Sequence, residues 1–234
     1  MKIKGTVALV TGANRGIGLA FTRELLARGA RKVYAGARNP ASIEDSAVEA
    51  LRLDVTKPDE VAAAAVHAND VALLINNAGV AHLGGFLATD SEEVAHFHFE
   101  TNFFGVLRMS KAFAPILAAN GGGALLNVLS AASWLNRGQL AAYAASKSAA
   151  WSLTNSLRYE MAARRTQVLA LHMGFVDTEL ARGIEVPKSS PEEMVKRALD
   201  GLESGLEEVL ADDYTKVAKQ GIAALRPSYF PPAG

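Results

Sequence analysis

Thr11-Gly12-Ala13-Asn14-Arg15-Gly16-Ile17-Gly18 follows a short β-type run, Thr6 to Val10, and leads into a helical pattern from Leu19 to Arg28 carried by Leu19, Phe21, Leu25 and Leu26. Strand, glycine turn and helix in that order form the context a phosphate-binding turn requires. Glycines let a backbone approach a pyrophosphate, and a helix N-terminus offers free N–H groups and the positive end of its dipole. The spacing is G-x-x-x-G-x-G, not G-x-G-x-x-G. The competing reading is a plain strand–helix turn, and the rest of the chain decides between them.

The next strand, Lys32 to Ala37, ends at Ala37-Arg38. In a dinucleotide fold that end faces the adenosine ribose, where a carboxylate holds a 2′-hydroxyl and an arginine suits a 2′-phosphate. Arg38 stands here, Arg15 lies in the glycine turn, and the strand end has no carboxylate. Two guanidiniums favour NADP(H). Either arginine alone also reads as an ordinary surface residue.

A third strand, Val48 to Leu53, ends at Asp54-Val55, and a helix spans Pro58 to His67. The fourth strand, Val71 to Ile75, closes on Asn76-Asn77-Ala78-Gly79. A helix starts near Ser91, a candidate cap, and runs with a bend to Ala119, carrying Asn102 beside Gly105. An Asn inside an apolar helix either bonds a neighbouring backbone group or marks a kink that holds a water or ligand. Ala124 to Leu129 is a fifth strand ending at Ser130, and Ala131 to Gln139 is a loop before a helix from Leu140 to Arg164. Thr166 to His172 is a sixth strand, followed by Met173-Gly174-Phe175-Val176-Asp177-Thr178. A helix from Pro191 to Leu202, capped at Ser189 or Ser190, precedes a short last strand, Glu207 to Ala211. The end, Arg226 to Pro232, is too proline-rich to be helical. Strands alternating with helices predict one α/β domain over residues 1–234 with an irregular tail from about 222, a parallel sheet, and ligands at the strands' carboxyl ends.

Composition narrows the alternatives. The 234 residues are 50% hydrophobic, and 24 basic residues balance 24 acidic ones. Nothing calls for nucleic acid or an anionic membrane. Without cysteine there is no disulfide or thiolate metal site. The first apolar run is too short for a secretory signal, and Pro115 with three glycines at 121–123 breaks the longest uncharged stretch, so a cytoplasmic protein is expected. The five histidines, 67, 82, 96, 98 and 172, show no metal-ligand spacing.

Tyr143-Ala144-Ala145-Ser146-Lys147 places a phenol and an ammonium on one helix face. An ordinary tyrosine, with a pKa of ~10, is a proton donor at neutral pH. A charge ~4 Å away at an effective dielectric of ~20 is worth ~4 kcal/mol, or roughly three pKa units, before solvent reduces it. The bland alternative is a surface tyrosine beside a surface lysine.

Taken together, T-G-x-x-x-G-x-G at 11–18, D-V at 54–55, N-N-A-G at 76–79, Asn102, Ser130 and Y-x-x-x-K at 143–147 resemble the short-chain dehydrogenase/reductase family over roughly residues 5 to 180. The resemblance implies a Rossmann-like, doubly wound sheet of about seven strands, helices on both faces, and nicotinamide-dependent hydride transfer. It implies that Tyr143 exchanges a proton with the substrate oxygen, that Lys147 lowers the tyrosine's pKa and holds the nicotinamide ribose, that Ser130 binds the substrate oxygen, and that Asn102 places a relay water. Ser133, also in the loop, competes with Ser130, which is preferred because it ends the strand. Gly12, Asn14, Arg15, Gly16, Ile17, Gly18 and Arg38 would face the pyrophosphate and adenosine, as would Asp54, Val55, Asn76, Asn77, Ala78 and Gly79. Thr178 would face the carboxamide, and Gly174 and Val176 would also bind the cofactor.

Three departures stand out. Met173 replaces the family's usual proline, which predicts a more mobile turn. Only twelve residues separate Thr178 from Pro191, so the substrate lid is short. The last strand runs into Asp212-Asp213 instead of a glycine-rich ending. His82, Trp134, Phe175 and Leu180, with Ser130 and Tyr143, are the candidate substrate pocket; the apolar members suit a carbonyl compound with a hydrophobic substituent or pack on the tail. The helices at 91–119 and 140–164 imply a homodimer by resemblance, with a tetramer as the larger alternative. The leading function is an NADPH-dependent carbonyl reductase. An NAD-preferring alcohol dehydrogenase and a non-catalytic NADP(H)-binding sensor are the competitors.

Overall fold

The computed structural model describes residues 1–230; Pro231 and Pro232 of the expected tail lie outside them. Seven strands form one parallel sheet: β1 (Val7–Thr11), β2 (Lys32–Ala37), β3 (Glu49–Arg52), β4 (Leu73–Asn76), β5 (Gly123–Val128), β6 (Thr166–His172) and β7 (Glu208–Leu210). Their order is β3-β2-β1-β4-β5-β6-β7, so the direction of winding reverses between β1 and β4. A crevice opens at the carboxyl ends of strands at such a reversal.

Alternation along the central strands explains why they are apolar throughout. Val7 and Leu9 enter one core with Leu74, Leu125 and Phe113, while Ala8 and Val10 enter the other with Phe21, Leu126 and Leu199. Both faces of a parallel sheet are covered, so neither parity of side chain meets water. Helices α1 (Gly16–Ala27) and α6 (Pro191–Glu203) cover one face; α2 (Pro58–His67), α4 (Val106–Ala119) and α5 (Ala141–Ala162) cover the other.

The long helix expected from 91 to 119 comes in three parts. Helix α3 (Ser91–Phe99) passes into a π-helical segment, Glu100–Gly105, before α4 begins. The wider turn falls on Asn102, as an awkward Asn inside an apolar helix foretells. Asp90, not Ser91, is the N-cap residue, and its side chain makes no capping bond. Ser190 caps α6 through its hydroxyl. A final helix, α7 (Asp213–Gln220), lies where the sequence reading placed only a departure, because Asp212 and Thr215 form a capping box.

A chain of buried amides joins the two central strands to α5. Asn76 donates to Asn127 Oδ1 at 2.8 Å, and Asn127 donates to Thr154 Oγ1 at 2.9 Å. Asn127 and Thr154 are fully buried. Asn127→Leu strips partners from two buried polar groups and should cost roughly 2–4 kcal/mol. Urea unfolding checks it; a loss below about 0.5 kcal/mol would contradict this account.

Candidate active site

The glycine turn between β1 and α1 is shaped by close backbone approach. Gly12 and Gly16 adopt φ of +63° and +54°, and a methyl group on Gly18 would lie 2.1 Å from the Gly12 carbonyl oxygen. Thr11 Oγ1 accepts from the N–H groups of Asn77 and Ala78 at 3.0 and 2.9 Å. The Asn77 amide donates to the carbonyls of Thr11 and Gly12 at 2.9 and 3.1 Å. Among the described residues no side chain caps α1, and no acidic residue sits in its first turn. Its first N–H groups therefore meet a cleft lined by Gly12, Asn14, Arg15, Gly16, Ile17 and Gly18.

That cleft has a volume of about 1920 Å³ and runs from Arg38, Asp54 and Val55 past Ala78 and Gly79 to Ser130, Tyr143 and Lys147, then to Gly174, Val176 and Thr178. Its size suits a dinucleotide with a second small molecule, since drug-sized sites span ~300–1,000 Å³. A glycine-lined, uncapped helix start and two arginines fit an extended anionic cofactor bearing a 2′-phosphate. Arg15 pairs across the cleft with Glu179, both half-exposed, so an anion at Arg15 exchanges with a carboxylate already there.

At the other end, Ser130 leaves β5 in extended conformation, and its Oγ accepts from Ala132 N at 3.1 Å. The Tyr143 hydroxyl contacts the Ser130 hydroxyl. Burial pushes the Tyr143 phenol up, and the Ser130 contact opposes this only in part. Lys147 Nζ donates to Val128 O at 2.9 Å and lies 5.8 Å from the Tyr143 ring centroid. Burial brings its ammonium down to about 8. The lysine head points to the strand carbonyl, and the tyrosine's shift comes from burial and Ser130. His98, buried in α3, has Nδ1 2.7 Å from Val94 O, which places its proton there and leaves Nε2 to accept from His82 N–H at 2.9 Å.

Three expected site residues do not line the cleft. The Asn76 side chain turns into the core toward Asn127 and Ser110. Asn102 is buried; its amide donates to Val80 O and Ser146 Oγ, while its Oδ1 accepts from Val80 N. It therefore straps the loop after β4 to α5. Trp134 stacks on His172 at 4.0 Å between ring centroids and packs with Ala218 under the loop, leaving the cleft to Leu135. Asn77 does line the cleft, but its amide is bonded to the glycine turn. Ser133 is buried, its Oγ has no partner among the described residues, and it does not line the cleft, whereas Ser130 does. His82, Phe175 and Leu180 are all at the wall. The reading missed Phe97, stacked on His82 at 5.0 Å, and Tyr214 from α7. The Asp212–Thr215 capping pattern could have revealed the second.

A family model for short chain dehydrogenases matches residues 6–188. The chain belongs to the short-chain dehydrogenase/reductase family. Among members of this family it is 38% identical over 190 residues to a galactitol 2-dehydrogenase (L-tagatose-forming) of Cereibacter sphaeroides, covering 76% of this chain and 74% of that one. It is 31% identical over 193 residues to a 3-oxoacyl-[acyl-carrier-protein] reductase of Escherichia coli, covering 79% of each. A crystal structure of a short chain dehydrogenase from Burkholderia cenocepacia in complex with NADP superposes with a TM-score of 0.93 at 41% identity, over 97% of this chain and 96% of that one.

His172 supports Ser130 from below. Its Nδ1 donates to Ser130 O at 3.2 Å, and its Nε2 faces Glu208 at 3.6 Å. Lys219 already pairs with Glu208, so burial dominates and brings the imidazole down from 6.5 to about 3. The unfolded chain therefore takes up a proton near 6.5 that the folded chain refuses until about 3, so this group erodes stability as pH falls through that window and contributes nothing above it. His172→Asn should flatten the fall in urea midpoint between pH 6.5 and 3; an unaltered slope would contradict a neutral buried His172.

Proposed function

We propose that this oxidoreductase uses NADPH to reduce a ketone or aldehyde to an alcohol, reversibly. The observation that carries the reading is that the Tyr143 and Ser130 hydroxyls meet beside Lys147 in the same cleft as the uncapped start of α1. When bound, the nicotinamide supplies the hydride. The side chains manage the proton. Tyr143 holds it at Oη, and burial keeps the phenol protonated at neutral pH, the form that gives a proton to a carbonyl oxygen. Ser130 Oγ donates to the same oxygen and stabilises its developing charge. Lys147, near pKa 8, can return a proton to the tyrosine at neutral pH and hold the nicotinamide ribose. Asn102 keeps Val80 and Ser146 in place around them.

Arg15 and Arg38 support NADP(H) over NAD(H), as does NADP in the Burkholderia relative. Gly174, Val176 and Thr178 would hold the carboxamide end. The wall of Leu135, Phe175, Leu180 and Ile184 supports a substrate with an apolar substituent. A homodimer through α3, α4 and α5 is part of the proposal; Phe104, in the π-helical segment between α3 and α4, and Tyr159 on α5 are 41% and 86% exposed.

Tyr143→Phe should lower turnover about 10²–10⁴-fold while NADPH still binds; unchanged turnover would remove Tyr143 from the chemistry. Titration by nicotinamide fluorescence should show NADPH binding more tightly than NADH, and Arg38→Ala should narrow the gap about 10- to 100-fold. An NADH preference in the parent would overturn the cofactor assignment. Light scattering should give a particle larger than the 24.7 kDa chain at working concentration, and a 24.7 kDa particle would refute the dimer.

A further inference from the structure

The turn Met173-Gly174 begins the cleft wall that continues to Thr178. Methionine leaves its backbone freer than proline would. The structure restrains it from a different direction. Gly174 N donates to Asp212 Oδ2 at 2.7 Å. The other oxygen of the same carboxylate, Oδ1, accepts from Thr215 N at 2.8 Å and starts α7. Thr215 is fully buried, and its hydroxyl accepts from Asp212 N at 3.4 Å. The residue before it, Tyr214, closes over the turn: a methyl group on Gly174 would lie 3.0 Å from its Cδ1, and its ring centroid is 6.2 Å from that of Phe175.

We propose that Asp212 is a positioning residue that fixes the Gly174–Thr178 wall, and through it the nicotinamide half of the cofactor. A carboxylate accepts through both oxygens at once, whereas serine or asparagine has one acceptor oxygen. Serine and asparagine make good helix caps, so a residue needed only to start α7 has no need of a second oxygen. Here the second oxygen takes the N–H of a cleft residue, in a bond strengthened by charge. Among the described residues the adenosine end, at Arg15, Arg38 and Asp54, shares no hydrogen bond or ion pair with Asp212 or α7. The inference rests on the dinucleotide reading above.

The test separates loop from helix and one half of the cofactor from the other. Asp212→Ser keeps a cap and removes the bond to Gly174, whereas Thr215→Val weakens the capping box and leaves that bond in place. Each variant and the parent are titrated with NADPH and with 2′,5′-ADP, which lacks the nicotinamide half. D212S should bind NADPH about tenfold more weakly and 2′,5′-ADP as the parent does, while T215V should bind both as the parent does even if its melting temperature falls. Parental NADPH affinity in D212S, an equal loss of both ligands, or the same NADPH loss in T215V would each overturn the proposal. If D212S does not fold, Asp212→Asn, of the same shape with one acceptor oxygen, is judged by the same outcomes. A parent that binds neither ligand would instead overturn the dinucleotide reading, and this inference with it.

Discussion

A methyl group has no room at Gly18, because the Gly12 carbonyl oxygen would lie 2.1 Å from it and the Asn77 amide nitrogen 2.6 Å. That closeness seats the first turn of α1 directly on the end of β1. Asn77, arriving from β4, then satisfies the Thr11 and Gly12 carbonyls that the tight turn leaves facing inward. Strand, helix start and the neighbouring strand's loop are thus joined at one point. The cleft is what remains beyond it, where the sheet reverses its winding.

The chemistry is fixed by a second set of contacts on the far side of that point. Lys147 is anchored to Val128 O, Ser130 rests on His172, and Asn102 ties Val80 to Ser146. Each is a polar group made stiff by burial, and each draws on a different strand or helix. Burial also sets the protonation states: it favours the neutral imidazole of His172 and the protonated phenol of Tyr143 and loosens the proton of Lys147.

The sequence announces the fold and most of this arrangement because glycines, strand ends and a helix-spaced Tyr–Lys pair are local signals. It does less well where direction matters. Asn76 and Asn77 both close β4, but Asn76 is still in the strand, where either parity is covered, and its parity with Leu74 turns it toward the core under α4, whereas Asn77 lies beyond the strand. Trp134 sits in a loop, where no periodicity tells inside from outside, and its place beneath the site is decided by Ala218 and His172, far along the chain. Lys147 and Tyr143 share a face as expected, yet the head of a long side chain chooses its partner by reach, and the Val128 carbonyl lies within it. The Arg15–Glu179 pair and the Gly174–Asp212 bond join residues whose meeting only the folded chain reveals.

The buried amides of Asn76 and Asn127 have one more consequence. They are direct partners across β4 and β5, and shifting one parallel strand by a single residue would turn every side chain to the opposite face. Apolar residues such as Leu73 and Leu74 would tolerate such an error, since both faces are apolar. Two amides that must find each other would not. The polar link thus acts as a registration key in a sheet whose remaining side chains are nearly blind to frame. Through Thr154, on the same helical stripe as Tyr143 and Lys147, the key also indexes α5 to the sheet. Pairing the strands in frame and delivering the tyrosine to the cleft are therefore one event.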